Sequence, residues 1–364
     1  MSNKKQNGLS IAEQEVDAAS VFANAQRQGY SNSLLSYTLP FFPADRDKSS
    51  KIDDKRDDEG KLIKKASYIH TLSHRNIIVK YHAVAIQSGN GEDFYFPSKN
   101  EELIFKSILE MVGAGLAQMR MESTNNFIVT FRIQDLREYL KDIGRSRSGK
   151  QINTSLQILE RSTVEVEYRG SMNNGRDKAT MSGTYLQSAT RIESDDPRKD
   201  GLYQARLHPN FARDIMKGDY RFIENKFLTV KGKSFALFES ILHELRHKFT
   251  QASAKPSVRI HYEFNLSDIF FVTGYTPSFK EPTGRRNIAE IEKLLLESGV
   301  INEKKDFKRK SFFDDERETV DFHCTIVTSV EWGESQRRDN AVNKQNKTAL
   351  EFFQNVQGLE HNMD

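Results

Sequence analysis

The chain has 364 residues, which is enough for two domains of ordinary size with terminal tails. Its 54 basic and 51 acidic residues nearly cancel, so a uniformly basic protein is excluded and any nucleic-acid surface must come from local clusters of charge. The single cysteine, Cys324, excludes an intrachain disulfide and a zinc site built from several thiolates.

No targeting or membrane segment is predicted. Lys4 and Lys5 near the start are not followed by the apolar stretch of a signal peptide. No stretch approaches the roughly 18 apolar residues that are needed to span a bilayer. We therefore expect a cytoplasmic protein that makes no membrane contact.

Residues 1–65 are predicted to be a flexible, disordered tail, because the mixed-charge stretch 45–65 offers almost nothing to bury. A short apolar island interrupts this tail at residues 33–42. Its sequence TLPFF resembles the peptide that docks on bacterial sliding clamps, with Thr and Phe where that motif has Gln and Leu. Leu39, Phe41 and Phe42 are therefore candidate clamp-docking residues, and packing of the segment on its own domain is the alternative.

Residues 66–200 are predicted to form a first domain with the element order of a winged helix-turn-helix. Alternating apolar residues predict a strand over 76–86, and a capping box at Ser98 and Glu101 predicts a helix that reaches about residue 119. The pattern then predicts a strand, two helices and a hairpin, in this order: 126–131, 133–142, 151–161, 163–168 and 179–192. The basic turn GRSRSGK, residues 144–150, separates the two helices.

Residues 201–333 are predicted to form a second domain that repeats this order. After a bridging strand and a short helix, the pattern predicts a helix, a strand, two helices, a charged loop and a closing strand, at residues 234–249, 258–264, 266–272, 285–298, 302–318 and 320–330. Residues 334–364 are predicted to be a polar C-terminal tail.

The two domains share a signature where a strand meets a helix. It reads FRIQDL at residues 131–136 and FNLSDI at residues 264–269. Chance similarity of a short apolar pattern is the alternative, but the shared element order favours duplication of one unit. The expected fold class is therefore α+β, with two tandem winged helix-turn-helix domains.

Residues 243–247 match the zinc-protease pattern H-E-x-x-H, in which two histidines bind zinc and the glutamate acts as general base. His243 and His247 lie off the apolar stripe of their predicted helix, and Arg246 places a cation beside the second ligand. A solvated helix face is therefore the better interpretation, and no metal is expected.

The basic turn 144–150 also matches most of the phosphate-binding pattern G-x-x-x-x-G-K-[ST]. Gln151 stands where that pattern has the hydroxyl that binds Mg²⁺, and a helix is predicted before the turn instead of a buried strand. The turn fits better as a phosphate contact at a helix N-terminus, where N–H groups and the helix dipole favour anions.

In a helix-turn-helix, the second helix enters the major groove, and surrounding basic residues contact phosphates. In the first domain this predicts contacts from Arg145, Arg147, Ser148, Lys150, Gln151, Asn153 and Thr154. In the second domain it predicts contacts from Thr283, Arg285, Arg286 and Asn287 at the helix start and from Lys304, Lys305, Lys308, Arg309 and Lys310 in the wing. A solvated charged turn is the alternative for each cluster taken alone.

Two stretches, GKQINTSLQILERST at 149–163 and SFALFESIL at 234–242, resemble helices of the iteron-binding initiator proteins of theta-replicating plasmids. Phe238 stands where that family usually has tyrosine, and Ile152 or Asn153 where an aromatic residue is common. The resemblance implies two winged-helix domains that bind repeated origin sequences in double-stranded DNA. It also implies a homodimer linked to self-repression, and contacts with the host initiator and the replicative helicase.

The leading interpretation is a non-enzymatic initiator of plasmid replication that binds DNA in a sequence-specific manner and needs no cofactor. A tandem winged-helix transcriptional regulator is the runner-up of the same class. A zinc metalloprotease that uses His243, Glu244 and His247 is the alternative from another class.

Overall fold

The structure is a computed structural model, and it describes residues 30–34, 40–43, 51–52, 69–88, 91–123, 126–169, 178–193, 201–216, 220–224, 244–245, 259–274, 279, 283–316 and 318–360. This part of the chain is a mixed α and β structure. Its strands are β1 (Tyr30–Leu34), β2 (Lys51–Ile52), β3 (Ile69–His74), β4 (Ile77–His82), β5 (Val84–Ser88), β6 (Gly91–Tyr95), β7 (Gln118–Ser123), β8 (Asn126–Arg132), β9 (Val164–Arg169), β10 (Lys178–Gly183), β11 (Leu186–Arg191), β12 (Leu202–Leu207), β13 (Tyr220–Glu224), β14 (His261–Asn265), β15 (Phe307–Phe313) and β16 (Thr319–Val327). Its helices are α1 (Lys99–Gly113), α2 (Ile133–Asp142), α3 (Gly149–Arg161), α4 (Pro209–Met216), α5 (Leu266–Val272), α6 (Thr283–Glu297) and α7 (Val330–Glu360).

Helix α1 begins at the predicted capping box, in which the Ser98 N–H donates to Glu101 at 2.9 Å. The helix ends at Gly113 and does not continue to residue 119 as predicted. The Leu116 N–H bonds back to the last turn, and Gly115 has a φ of 74°. This left-handed glycine ends the helix and directs the chain into β7, which apolar periodicity alone does not reveal.

The first hydrophobic core joins two four-stranded antiparallel sheets to helices α1 to α4. The strand orders are β10-β9-β4-β3 and β11-β12-β8-β7. Val79 in β4 and Val166 in β9 are opposite one another and fully buried. The predicted hairpin over 163–192 is therefore divided, because β9 pairs with β4 as well as β10, and the chain then crosses to the other sheet as β11.

The second hydrophobic core covers one face of a three-stranded sheet with the order β14-β16-β15 and contains the apolar sides of α5 and α6. The predicted charged loop over 302–318 is instead a 3-10 turn, Lys304–Asp306, followed by strand β15. Phe307 pairs with Ile326 and is 8% exposed, and the rest of this charged strand is held by its pairing with β16.

The sequence predicted a flexible tail over residues 1–65, but the described parts of this segment are packed against the rest of the protein. Strand β1 pairs with β13, and β2 pairs with β6. Phe41 and Phe42 are buried in the first core, where the Phe42 ring stacks on Tyr185 and the Tyr185 hydroxyl donates to the Phe41 carbonyl oxygen. The apolar island therefore completes its own domain, which was the alternative to clamp docking.

The C-terminal segment differs from the predicted tail at 334–364, because α7 extends to Glu360. Ser329 caps the start of this helix, where its hydroxyl accepts the Trp332 N–H at 3.1 Å. Trp332 is fully buried in the second core, and polar residues such as Gln336 and Asp339 are also buried. The buried face of the helix is polar, so hydrophobic periodicity could not predict it.

Helix α5 connects the two cores. Phe270 packs in the second core, whereas Phe271 packs in the first. In the first turn of the helix, Asp268 accepts a hydrogen bond from Arg75 at 2.9 Å and lies 2.6 Å from the His74 Nε2 atom. His74 ends β3 and Arg75 follows it in the tight turn to β4, so the aspartate of the FNLSDI signature contacts the sheet of the first core.

Candidate nucleic-acid interface

The second unit, which we define as β14, α5, α6, β15 and β16, presents two basic clusters. The first is at the start of α6, where Arg285 and Arg286 are exposed and the first turn has no acidic residue. Thr283 is half-buried, whereas Asn287 is 4% exposed and lies on the core side of the helix. Asn287 therefore cannot contact DNA as predicted, because its position on the helix directs it into the core.

The second cluster of this unit lies along β15 and the turn before it. Lys304 and Lys305 are exposed in the 3-10 turn, and Lys308, Arg309 and Lys310 are exposed on the strand. Successive strand residues point to opposite faces of a sheet, so these three cations do not form one flat patch. Lys308 and Lys310 therefore share one face of the hairpin, and Arg309 lies on the other.

A buried ion pair fixes the turn that carries Lys304 and Lys305. Asp306 is 5% exposed at its side chain and contacts Arg259 at 2.5 Å. Burial disfavours the Asp306 carboxylate, but hydrogen bonding to Arg259 outweighs this and lowers its pKa. Arg259 also donates to the Thr328 carbonyl at 2.7 Å, which ties the turn to the end of β16.

The first unit, which we define as β8, α2, α3 and β9, places its basic turn between its two helices as predicted. Ser148 and Gln151 form a capping box at the start of α3: the Ser148 hydroxyl accepts the Gln151 N–H at 3.2 Å, and the Gln151 side chain accepts the Ser148 N–H at 2.8 Å. Both residues were predicted to contact DNA. In this structure they stabilise the helix end.

Arg147 is held in place by a network that the sequence did not reveal. Its Nε atom donates to the Asn100 side chain at 2.5 Å, Asn100 donates to the Ser155 hydroxyl at 2.8 Å, and Ser155 donates to Glu101 at 2.8 Å. Burial and the nearby Arg145 lower the pKa of Arg147. The network joins the N-termini of α1 and α3, and only the capping position of Glu101 gave a sequence signal for it.

The solvent-facing stripe of α3 is polar and contains Lys150, Thr154, Gln157 and Arg161, which recur at helical spacing. Lys150 and Arg161 are exposed, and Thr154 and Gln157 are half-buried. Gln157 and Arg161 were not among the predicted contacts, although the same periodicity that identified the apolar side could have found them. Asn153 is exposed, and its side chain accepts the Tyr203 hydroxyl at 3.1 Å.

A buried ion cluster stabilises the helix on which Arg147 depends. Glu102 in α1 lies 2.6 Å from both Lys99 and Lys106. Burial opposes ionisation of Glu102, but the two ammonium groups outweigh it and lower the pKa of Glu102 to about 2. The carboxylate is therefore charged at neutral pH, and both of its ion pairs lie within α1 and stabilise that helix.

The enzyme-like motifs gain no support from the described residues. His243 and His247 lie outside them, and Glu244 is half-buried. No cluster of three or more His, Cys, Asp or Glu side chains within the described ranges could hold a metal ion. The turn at 144–150 follows helix α2, as predicted, and therefore lacks the preceding strand of a nucleotide-binding loop.

Two of the three candidate clamp-docking residues are buried. Phe41 and Phe42 are 9% and 2% exposed, and Leu39 lies outside the described residues. Docking through the two phenylalanines would require their removal from the core, which corrects the prediction. Among the described helices, none is both long enough and apolar enough to cross a membrane.

No protein-family model matches the chain, and no curated protein matches it. Among solved structures, a selenomethionine derivative of domains 2 and 3 of RctB is 13% identical, with a TM-score of 0.42 over 85% of this chain and 99% of that one. A second structure of RctB domains 2–3 is 13% identical, with a TM-score of 0.35 over 74% of this chain and 93% of that one.

A third solved structure is the Pi initiator protein in complex with iteron DNA. It is 12% identical to this chain, with a TM-score of 0.35 over 62% of this chain and 91% of that one.

Proposed function

We propose that this chain binds double-stranded DNA through two tandem winged-helix units, and that the second unit makes the stronger contact. One observation carries the proposal: exposed Arg285 and Arg286 at the start of α6 and exposed Lys308, Arg309 and Lys310 on β15 extend from the same small core. A helix start and a hairpin are the two places where a winged helix contacts DNA. Because α6 and β15 pack on one core, the distance and orientation between the two clusters are fixed.

The arrangement of the cations in the two clusters favours a polymeric anion, such as DNA, over a small anion. One cluster follows a helix start and the other a seven-residue strand, so the cations are spread along the surface and do not converge on one point. The major groove of DNA admits an α-helix. Cations beside such a helix can bind the phosphates that border the groove. The polar stripe of α3, headed by Lys150, supports a second contact from the first unit.

Within this proposal, the DNA is an origin of plasmid replication with repeated binding sites, and the protein acts there as a non-enzymatic initiator. The sequence resemblance at residues 149–163 and 234–242 supports this finer assignment. Recruitment of the host initiator and the replicative helicase, a homodimer and a cytoplasmic location belong to the same proposal. The resemblance implies the two host partners.

Fluorescence anisotropy with labelled duplexes tests DNA binding. We expect the full chain to bind a duplex with the direct repeats beside its own gene more tightly than a shuffled duplex of equal length. Log affinity should fall steeply with log salt concentration, since each neutralised phosphate contributes a slope of about −0.9. Equal affinity for both duplexes, or no salt dependence, would contradict the proposal.

The genomic context separates an initiator from a transcriptional regulator. Direct repeats of roughly 20 base pairs, about two helical turns, are expected beside the gene of an initiator. A plasmid that contains only these repeats and the gene should replicate in a suitable host. If the protein binds the repeats but supports no replication in any arrangement, the regulator is the better assignment.

A further inference from the structure

Residues 40–43, which we call the N-terminal clasp, are buried and held by the first core through their backbone. The hydroxyl of Tyr81 donates to the Pro40 carbonyl oxygen. The hydroxyl of Tyr185 donates to the Phe41 carbonyl oxygen. Both tyrosines are fully buried, and a buried hydroxyl is costly to leave without an acceptor. These two bonds therefore fix the path of the clasp across the first core.

The end of the clasp reaches the second unit at Gly274, the left-handed residue that follows helix α5. Its φ is 75°, and its N–H donates to the Phe271 carbonyl oxygen at 2.9 Å. An ideal Cβ atom on Gly274 would lie 3.1 Å from the Pro43 Cα atom and would overlap the Phe42 carbonyl oxygen. The backbone of the clasp therefore packs directly against the backbone at the end of α5, with no room for a side chain between them.

The clasp completes a set of contacts that hold α5 at both of its ends. At the first end, Asp268 accepts a hydrogen bond from Arg75 in the β3–β4 turn at 2.9 Å. Near the other end, Phe271 packs in the first core and Gly274 lies against the clasp. Helix α6 follows α5 and packs on the second core with it. The position of α5 on the first unit therefore sets the direction in which α6 points.

We propose that the N-terminal clasp fixes the orientation of the second unit relative to the first, and that it thereby sets the spacing between the two DNA contacts. Contacts within the protein support the fixed orientation, whereas the link to DNA rests on the proposed function. Two contacts on one rigid body meet a duplex at one separation, so a change in that separation removes one of them. The clasp is a positioning segment, because it is buried and does not itself contact DNA.

Gly274→Ala tests the contact between the clasp and α5, because the added methyl group would displace the Phe42 carbonyl group. Gly299→Ala is the matched control. Gly299 follows α6 with a φ of 71°, and an ideal Cβ atom there has open space within the described part of the chain. Both substitutions impose the same left-handed strain on alanine, so a difference between them isolates the collision with the clasp.

Pulsed electron spin resonance on the full chain without DNA measures the orientation. Spin labels are attached at two exposed positions, Lys141→Cys on α2 and Lys293→Cys on α6, while the native Cys324 is buried. We expect one narrow distribution of label distances in the parent protein and in the Gly299→Ala variant. The Gly274→Ala variant should give a broader distribution or a second peak, because α5 is no longer held at its end.

A second pair of variants tests the contact from the side of the clasp. Phe42→Ala removes a buried ring that stacks on Tyr185 with 4.4 Å between the ring centroids. Phe127→Ala removes a fully buried ring on β8 in the same core and is the control. Both should lower the unfolding temperature, but only Phe42→Ala should broaden the label distances. Tyr185→Phe keeps the stacked ring and removes the hydroxyl that holds the Phe41 carbonyl, so it should broaden them to a smaller extent.

Fluorescence anisotropy with two duplexes tests the spacing of the DNA contacts. One duplex contains the intact repeat, and the other has about five base pairs, half a helical turn, inserted at its centre. The parent protein should lose about tenfold or more in affinity on the duplex with the insertion. The Gly274→Ala variant should bind the intact repeat more weakly but lose at most about threefold on the insertion, because its units can adjust to the new spacing.

Label distances that are the same in Gly274→Ala and Gly299→Ala would overturn the proposal, whether or not the protein binds DNA. A parent protein whose label distances are already broad would overturn it as well. If the distances respond but the insertion weakens both proteins equally, the clasp does not set the spacing of the DNA contacts. A protein that binds neither duplex would contradict the proposed function, and the label distances alone would then decide whether the clasp orients the two units.

Discussion

The first unit and the second unit hold their second helix, α3 and α6, in different surroundings. Helix α3 is part of a large core shared with two four-stranded sheets, whereas α6 packs on a three-stranded sheet with one hairpin. Several polar residues near the start of α3 are engaged within the protein: Arg147 with Asn100, Ser148 with Gln151, and Asn153 with Tyr203. The cations of the second unit are more exposed.

This difference indicates a division of labour. A residue that is already bonded within the protein must give up that bond before it can bind DNA, so its net gain is small. Arg285 and Arg286 are exposed at the start of α6, and an arginine side chain can make bidentate contacts with guanine or phosphate. We therefore expect the second unit to supply most of the DNA affinity. The first unit is expected to contribute less, through side chains that the protein already holds in place.

The largest effect is expected where the two units meet. Phe271→Ala should lower the free energy of unfolding by about 3–5 kcal/mol, because it leaves a cavity where the second unit enters the first core. Chemical denaturation of the full chain measures this change. Val320→Ala, an exposed apolar truncation, should stay within about 0.5 kcal/mol. Equal effects of the two variants would mean that α5 does not join the units.

The next largest effect is a loss of DNA affinity when the two arginines of the second unit are replaced. Replacing Arg285 and Arg286 together by alanine should reduce DNA affinity by about 100-fold, since each contact contributes about 1–3 kcal/mol. The unfolding midpoint should not change, because both side chains are exposed. Binding titrations at constant salt measure the loss. Unchanged affinity would exclude the second unit as the main DNA contact.

Acid should weaken helix α1 through Glu102. Its pKa is lowered from 4.5 to about 2 in the folded protein, so its stabilising contribution is complete above pH 4.5 and is lost as the pH falls toward 2. Glu102→Gln should therefore destabilise the protein by about 2 kcal/mol at pH 7 and by less near pH 3. Denaturation at a series of pH values measures this. Glu316→Gln is the exposed control, and a penalty that does not depend on pH would contradict the pairing with Lys99 and Lys106.

The smallest effect is expected in the first unit. Replacing Lys150 and Arg161 on the outer stripe of α3 by alanine should weaken DNA binding roughly fivefold to tenfold, as expected for phosphate contacts at one helix. The salt slope should become shallower by one to two units. Loss of affinity as large as that of the Arg285 and Arg286 variant would remove the proposed difference between the units.

Local signals predicted much of this fold. Capping residues identified the start of α1, and apolar periodicity identified α2, α5 and α6 and the strands β8 and β14. The signature at 131–136 and 264–269 marks strand-to-helix junctions in both units, at β8–α2 and β14–α5. These features depend on neighbours along the chain, so sequence alone could reveal them.

The features that sequence did not predict depend on distant partners. Strand β15 looked like a loop because five of its seven residues are exposed, and its pairing with β16 decides its structure. Helix α7 looked like a tail because Gln336 and Asp339 are buried although they are polar. Asn287 looked like a DNA contact because it is polar, although it lies one turn before Ile291 on the side of α6 that faces the core, which the apolar spacing could have revealed.

The most direct test of the central claim is hydroxyl-radical footprinting of the full chain on DNA that contains the repeats beside its own gene. Two protected groups of backbone positions are predicted on each repeat, one for each helix-turn-helix unit. The variant with Arg285 and Arg286 replaced by alanine should lose one group and retain the other weakly. No protection of any repeat, or the same two groups in that variant, would contradict a protein that binds DNA through two units with the second one dominant.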